Sequence, residues 1–221
     1  MLNKTFILSI FASTIISTSV SAAPLVSQAY GLENNKTISS TVLISTQNTA
    51  AAKIFIEDLA TKGISFLEDN SLNQDQRRKE FRNVLKNNFD MKTIARFALG
   101  TYWRQATKAE KKEYLALFEN TVVNVYSRRF SEYNGQEFEV ASARPQGKRD
   151  TIVTSYIVQN GGQKISIDWR LRQKKDGSLK IIDIMVEGVS MSVTQRSDFS
   201  SVIQRGGGKV NVLIEHLRAN K

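Results

Sequence analysis

The chain has 221 residues, 31 Lys and Arg against 21 Asp and Glu, a formal net charge of +10, and no cysteine. The absence of thiols excludes a disulfide framework, a cysteine nucleophile and a thiolate metal site, while the length suffices to bury a core without such staples. The charge points to anionic partners: nucleic acid, an anionic membrane or an acidic protein.

The first residues read as an export signal. Lys4 gives a short basic start, Phe6 to Ile16 form an apolar run too short to span a bilayer, and Val20-Ser21-Ala22 offers small residues for cleavage after Ala22. No cysteine sits there to carry a lipoprotein anchor. Export implies the periplasm and argues against nucleic acid as the partner. Residues 23–50 are rich in Ser, Thr, Asn, Gln and Ala and carry only Glu33 and Lys36 as charges, so they are expected to form a loosely ordered leader. Residues 51–221 read as a single α+β domain, helices first and strands afterwards.

The first helix is expected from Ala51 to about Asp69, with Ile54, Leu59, Phe66 and Leu67 apolar. Ser71-x-x-Gln74 reads as a capping box opening a second helix that places Phe81, Val84, Leu85 and Phe89 on one face. Asp90 caps a short third helix ending at Gly100. Thr107-x-x-Glu110 caps a long helix with Tyr114, Phe118, Val122, Tyr126 and Phe130 at spacing four. Strands follow. Phe138 and Val140 alternate with acids, Pro145 to Gly147 turns, and Thr151 to Gln159 is β-branched. Asn160-Gly161-Gly162 and Asp176-Gly177 mark hairpins around a strictly alternating strand, Ile165 to Arg172. Leu179 to Val186 is apolar on both faces, the pattern of a central strand, and Ser190 to Gln195 is expected to continue the sheet. Two amphipathic helices, carrying Phe199, Val202 and Ile203 and then Val210, Leu213, Ile214 and Leu217, close the chain.

Little in this pattern supports covalent chemistry. His216 is the only histidine, beside Glu215 on the polar side of the last helix, so a triad or histidine-based zinc site lacks partners. Gly206-Gly207-Gly208-Lys209 has no following Ser or Thr and reads as a helix break, not a phosphate loop. Asp168 lies on the wet face of its strand, where a cross-strand ion pair is expected. Asp183 has Ile181 and Met185 as same-face neighbours, and a carboxylate so placed serves either structure or general-base catalysis. The basic clusters Arg77-Arg78-Lys79, Lys111-Lys112, Arg128-Arg129 and Lys174-Lys175 suit a solvated face, a phosphate headgroup or an acidic partner.

Five stretches resemble the MlaC family, also called the toluene-tolerance auxiliary component. They are Phe97-Ala-Leu-Gly-Thr-Tyr-Trp-Arg104; the Ala106-Thr107 cap with its helix to Tyr133-Asn134-Gly135-Gln136; Ile165-Ser-Ile-Asp-Trp-Arg170; Lys180 to Met191, carrying a D-x-x-x-E-G-V-S signature; and Arg196-Ser-Asp-Phe199 through Gln204-Arg-Gly-Gly207. The resemblance implies an α+β, NTF2-like cone with helices packed on a curved, mostly antiparallel sheet. It implies a non-enzymatic periplasmic phospholipid carrier, without cofactor, shuttling lipid between an outer-membrane lipoprotein–porin complex and an inner-membrane MCE–ABC transporter complex and so maintaining outer-membrane lipid asymmetry. A hopanoid-associated branch is similar, so another lipid is an alternative cargo. For the implied cavity the sheet offers Ile165, Ile167, Trp169, Ile182, Ile184, Val186, Val189 and Met191. The helices offer Phe97, Leu99, Tyr102, Phe118, Val122 and Val125. Two rivals remain at this point: a ketosteroid-isomerase-like enzyme using Asp183, and a basic adaptor that binds proteins only.

Overall fold

The computed structural model describes residues 35–220, with side chains from residue 48 onward. The signal segment expected at 1–22 lies outside the described residues. The residues from Gln47 onward form one compact unit, and every side-chain contact described belongs to it. In chain order come α1 (Asn35–Glu68), α2 (Gln74–Asn88), α3 (Met91–Leu99), α4 (Tyr102–Gln105) and α5 (Lys108–Ser127), then a 3-10 turn at Phe130–Glu132. Strands β1 (Glu137–Gln146), β2 (Asp150–Val158), β3 (Lys164–Gln173), β4 (Leu179–Val186) and β5 (Val189–Ser190) follow, and α6 (Met191–Arg205) and α7 (Val210–Ala219) close the chain. This is the α+β order expected. No described helix is long and apolar enough to cross a membrane.

Local capping sets most of the helix starts. The box opening α2 is Asn73 with Gln76, two residues beyond the expected Ser71 and Gln74: Asn73 Oδ1 accepts from Gln76 N at 2.9 Å and Gln76 Oε1 from Asn73 N at 2.8 Å. Ser71 instead donates twice to the Asp69 carboxylate, closing the preceding turn. Asp90 caps α3 through Thr93 N, and Thr107 and Glu110 form the expected box on α5. At the other end α5 stops at Ser127, so Phe130 leaves the helical stripe and meets Phe66 and Phe81 edge-on at 5.6 and 5.3 Å. The first helix starts at Asn35, not at Ala51, so the later part of the expected loose leader is helical in backbone.

The sheet is open and antiparallel throughout, in the order β1-β2-β3-β4-β5. Pro145 belongs to β1, where an edge strand tolerates the missing N–H. The register puts Ile165 opposite Ile157, Ile167 opposite Ser155 and Val186, and Trp169 opposite Val153 and Ile184. A bulge follows, because Arg170 faces Asp183 while Leu171 faces Ile181, leaving Ile182 as the extra residue. The segment expected to extend the sheet as Ser190 to Gln195 turns into α6 after only two paired residues. Ser190 Oγ accepts from Val193 N at 3.1 Å and so caps that helix.

Burial falls into two separate cores. One is wholly helical: Ala95, Ala98 and Leu99 of α3, Tyr114, Leu117 and Phe118 of α5, and Phe199, Ile203, Leu213, Ile214 and Leu217 of α6 and α7. The Tyr114 hydroxyl donates to Ala95 O at 2.8 Å, and burial pushes its phenol pKa up. The other core joins Ala52, Ile56 and Leu59 of α1 to Val153, Leu171 and Ile181 of the sheet.

Candidate functional site

Alternation along antiparallel strands sends every second residue to one face, and here that rule assembles an apolar wall. Phe138 and Val140 of β1, Val153 and Ile157 of β2, Ile165, Ile167 and Trp169 of β3, and Ile184 and Val186 of β4 are in register with one another. Ile165, Ile167 and Val186 are buried, and Trp169 and Ile184 pack with the α1 core. One polar group sits in this wall. Ser155 is fully buried, accepts from Trp169 Nε1 at 2.9 Å and donates to Ile167 O at 3.3 Å. That pairing satisfies the indole N–H inside an otherwise oily surface and fixes the ring's orientation.

The expected lining residues do not all meet on this wall. Ile165, Ile167, Trp169, Ile184 and Val186 share it. Ile182, the bulge residue, is buried beside it. Leu99 and Phe118 lie inside the helical core, with Tyr102 and Val122 packed against that core; Phe118 spends its ring on Tyr114 and Phe199. Phe97, Val125 and Val189 are exposed, and Met191 is half-buried at the start of α6.

Asp183 is committed to architecture. Its Oδ1 accepts from Ile184 N and Ser192 N at 3.0 and 3.1 Å, and its Oδ2 accepts from Ser190 Oγ at 2.6 Å. The carboxylate thus binds the first turn of α6, where the helix dipole favours a negative charge. The bulge also moves Ile181 to the opposite face, pairing it with Leu171, so of the two same-face neighbours read for Asp183 in the sequence only Met185 remains. Glu187 and Gly188 complete the motif. Both have positive φ, 50° and 79°, forming a two-residue hairpin turn of the primed type. Glu187 N donates to Ser166 O at 3.0 Å and its Oε1 accepts from Ser166 N at 2.6 Å, so a side chain extends the ladder past the end of β4.

On the other sheet face the ion pair expected for Asp168 belongs to Asp150. Asp168 accepts from Thr154 Oγ1 at 2.5 Å. Asp150, almost fully buried, receives Nε and a terminal nitrogen from both Arg170 and Arg172 at 2.7 to 2.9 Å. Lys174 pairs with Asp90 at 2.6 Å and ties the β3–β4 turn to the start of α3. His216 is exposed beside Asn220, and among the described residues no His, Asp and Glu cluster is arranged to hold a metal ion.

The family model for the MlaC protein matches residues 57–219, most of the chain. The chain belongs to the MlaC family. One relative by sequence is the toluene tolerance protein ttg2D of Pseudomonas putida, 23% identical over 114 residues. That alignment spans 52% of this chain and 53% of the relative, about half of each. Among solved structures, a phospholipid-binding protein of Ralstonia solanacearum, determined in complex with a phospholipid, superposes with a TM-score of 0.66. It is 20% identical, and the match covers 76% of this MlaC chain and 95% of the other, so the two share a fold.

Two features of this MlaC chain escaped sequence reading. Ser155 looks like one polar residue in a β-branched run, and only the register reveals it under Trp169. Arg196 lies over the Phe97 ring at 5.4 Å and crosses Gly100 so closely that a Cβ there would meet its Nε at 2.8 Å. The R-S-D-F stretch hinted at neither contact.

Proposed function

We propose that the chain is an exported phospholipid carrier that holds lipid tails against the apolar sheet wall beneath α1 and leaves the phosphate near Arg or Lys at the mouth. The observation carrying this reading is the MlaC match over residues 57–219, supported by the fold shared with a protein described as phospholipid-binding. The physics is burial. Each methylene removed from water contributes roughly 0.8 kcal/mol, so two tails of about fifteen carbons give tens of kcal/mol as an upper bound. Ordering the tails and opening the protein offset part of that.

Ala52 and Ile56 of α1 are fully buried against Val153, Leu171 and Ile181. Tails entering at this wall therefore lift α1 from the sheet, exchanging helix contacts for hydrocarbon contacts at small net cost. This exchange suits a carrier, which must release what it binds. On this reading the chain is cleaved after Ala22 and works in the periplasm. It passes lipid between an outer-membrane lipoprotein–porin complex and an inner-membrane MCE–ABC transporter complex, and so maintains outer-membrane asymmetry. No catalytic role is assigned: both Asp183 oxygens are engaged by the start of α6 and by β4 itself.

Mass spectrometry of the exported chain purified without detergent tests the proposal. Phospholipid should accompany the protein at near one molecule each, and the spectrum distinguishes it from a hopanoid. Protein that is lipid-free and takes up no lipid from vesicles overturns the carrier reading. Asp183→Asn should keep its lipid, whereas loss of a measurable isomerase turnover in that variant would favour the enzyme.

A further inference from the structure

The α3–α6 face carries charge that the fold leaves unspent. Phe97 and Val193 are 42% and 55% exposed and flank a shallow groove whose lining includes Arg196, Ser197, Ser200 and Gln204 and no acid. Arg96, next to Phe97 in α3, and Lys111 lie over the Trp103 ring at 5.9 and 5.5 Å. Among the described residues no carboxylate is within ion-pair distance of Arg96, Lys111 or Arg196. These cations lie over aromatic rings, which positions Arg96 and Arg196 without neutralising them, while Lys111 also acts on the Glu110 carboxylate.

We propose that this face docks the protein on an anionic phospholipid bilayer. Charge complementarity argues for that occupant: Arg96 and Arg196, exposed and without ion-pair partners, meet the phosphate layer, and the whole chain is +10. The apolar groups fit the same depth. Phe97 and Val193 flank a groove lined otherwise by Arg196, serines and Gln204, an arrangement suited to the headgroup boundary, where aromatic rings bridge water and acyl chain. They form no contiguous apolar patch of the kind a protein partner would need at its centre. The inference rests on the lipid-carrier reading for its purpose, since docking would bring the carrier to a bilayer it loads from or delivers to, but it concerns a different surface from the sheet wall.

Vesicle flotation tests it, using the full exported chain with phosphatidylcholine vesicles and with vesicles doped with phosphatidylglycerol. The protein should float with the doped vesicles only, and salt should release it. A basic residue at such a surface contributes about fivefold in affinity, so Arg96→Glu with Arg196→Glu should weaken binding by more than about tenfold. Lys148→Glu with Arg149→Glu in the β1–β2 turn makes the same change in net charge and should weaken it far less. Val193→Ser, on an exposed site that the fold does not need, should weaken it severalfold and carries the test if the double variant fails to fold. Equal losses in both charge-reversal pairs, or unchanged binding in Val193→Ser and in the folded Arg96/Arg196 variant, overturn the proposal. Wild-type protein that contains lipid yet never floats overturns docking and leaves the carrier reading standing. Protein that floats but holds no lipid does the reverse.

Discussion

Asp150 keeps its charge where burial alone opposes it. Desolvation raises its pKa, and hydrogen bonds from Arg172 and Arg170 more than reverse that, holding the carboxyl below its ordinary value. A depressed folded pKa means the stabilisation is complete above the unfolded carboxylate value near 4 and is lost as pH falls through the lower folded value. Asp150→Asn should therefore lower the unfolding free energy by ~2 kcal/mol at neutral pH, the scale of hydrogen bonds to a charged group. In urea titrations that deficit should shrink once the pH drops below about 4. An unchanged deficit in strong acid would mean that the amide disturbs packing, not charge. Glu187 offers a second test on the same scale. Its positive φ of 50° is unusual for a residue with a side chain, and the bond from Ser166 N holds it in place. Glu187→Ala should cost about 1 kcal/mol and speed hydrogen exchange at the Ser166 amide, while exchange at Val153 stays slow.

The helix α6 shows how far local sequence patterns reach. Thr107 and Glu110 announced α5, and Asp90 announced α3, because a capping side chain acts within its own turn. Ser190 to Gln195 reads as strand, since Val189, Met191 and Val193 alternate with polar residues, yet the pairing stops at Ser190 and the helix starts at Met191. What decides for helix is partly distant in sequence: the Asp183 carboxylate, reached across the hairpin, accepts from Ser190 Oγ and Ser192 N. The same limit explains Asn73: Asp69 holds the Ser71 backbone N–H and hydroxyl in the preceding turn, so the helix begins after Asn73. If this account is right, Asp183→Ala should destabilise the protein by roughly 1–2 kcal/mol, the cost of a helix cap. Amide exchange should rise at Ser192 and Val193 before it rises in α7. Protection lost evenly over the whole chain would instead point to a global core defect.

At the scale of the molecule, the order of helices and strands was legible because periodicity and hairpin turns are local, and the pairings of β2, β3 and β4 follow from those turns. The candidate wall was legible only in part. An apolar residue in a list looks the same whether it closes a core or lines a ligand surface, so Leu99 and Phe118 were grouped with Ile165 and Ile167 although the fold puts them in a different core. The two-core arrangement makes the distinction measurable. Phe118→Ala empties space among Tyr114 and Phe199 and should cost about 3–5 kcal/mol of stability. Molecules that remain folded should still carry lipid, because the helical core is separate from the wall. Ile165→Ser, near the start of β3 and opposite Ile157, should cost less stability yet lower lipid per folded molecule, as counted by native mass spectrometry at a temperature where both variants are folded. Lipid lost from the Phe118 variant and kept by the Ile165 variant would move the binding surface from the sheet to the helices.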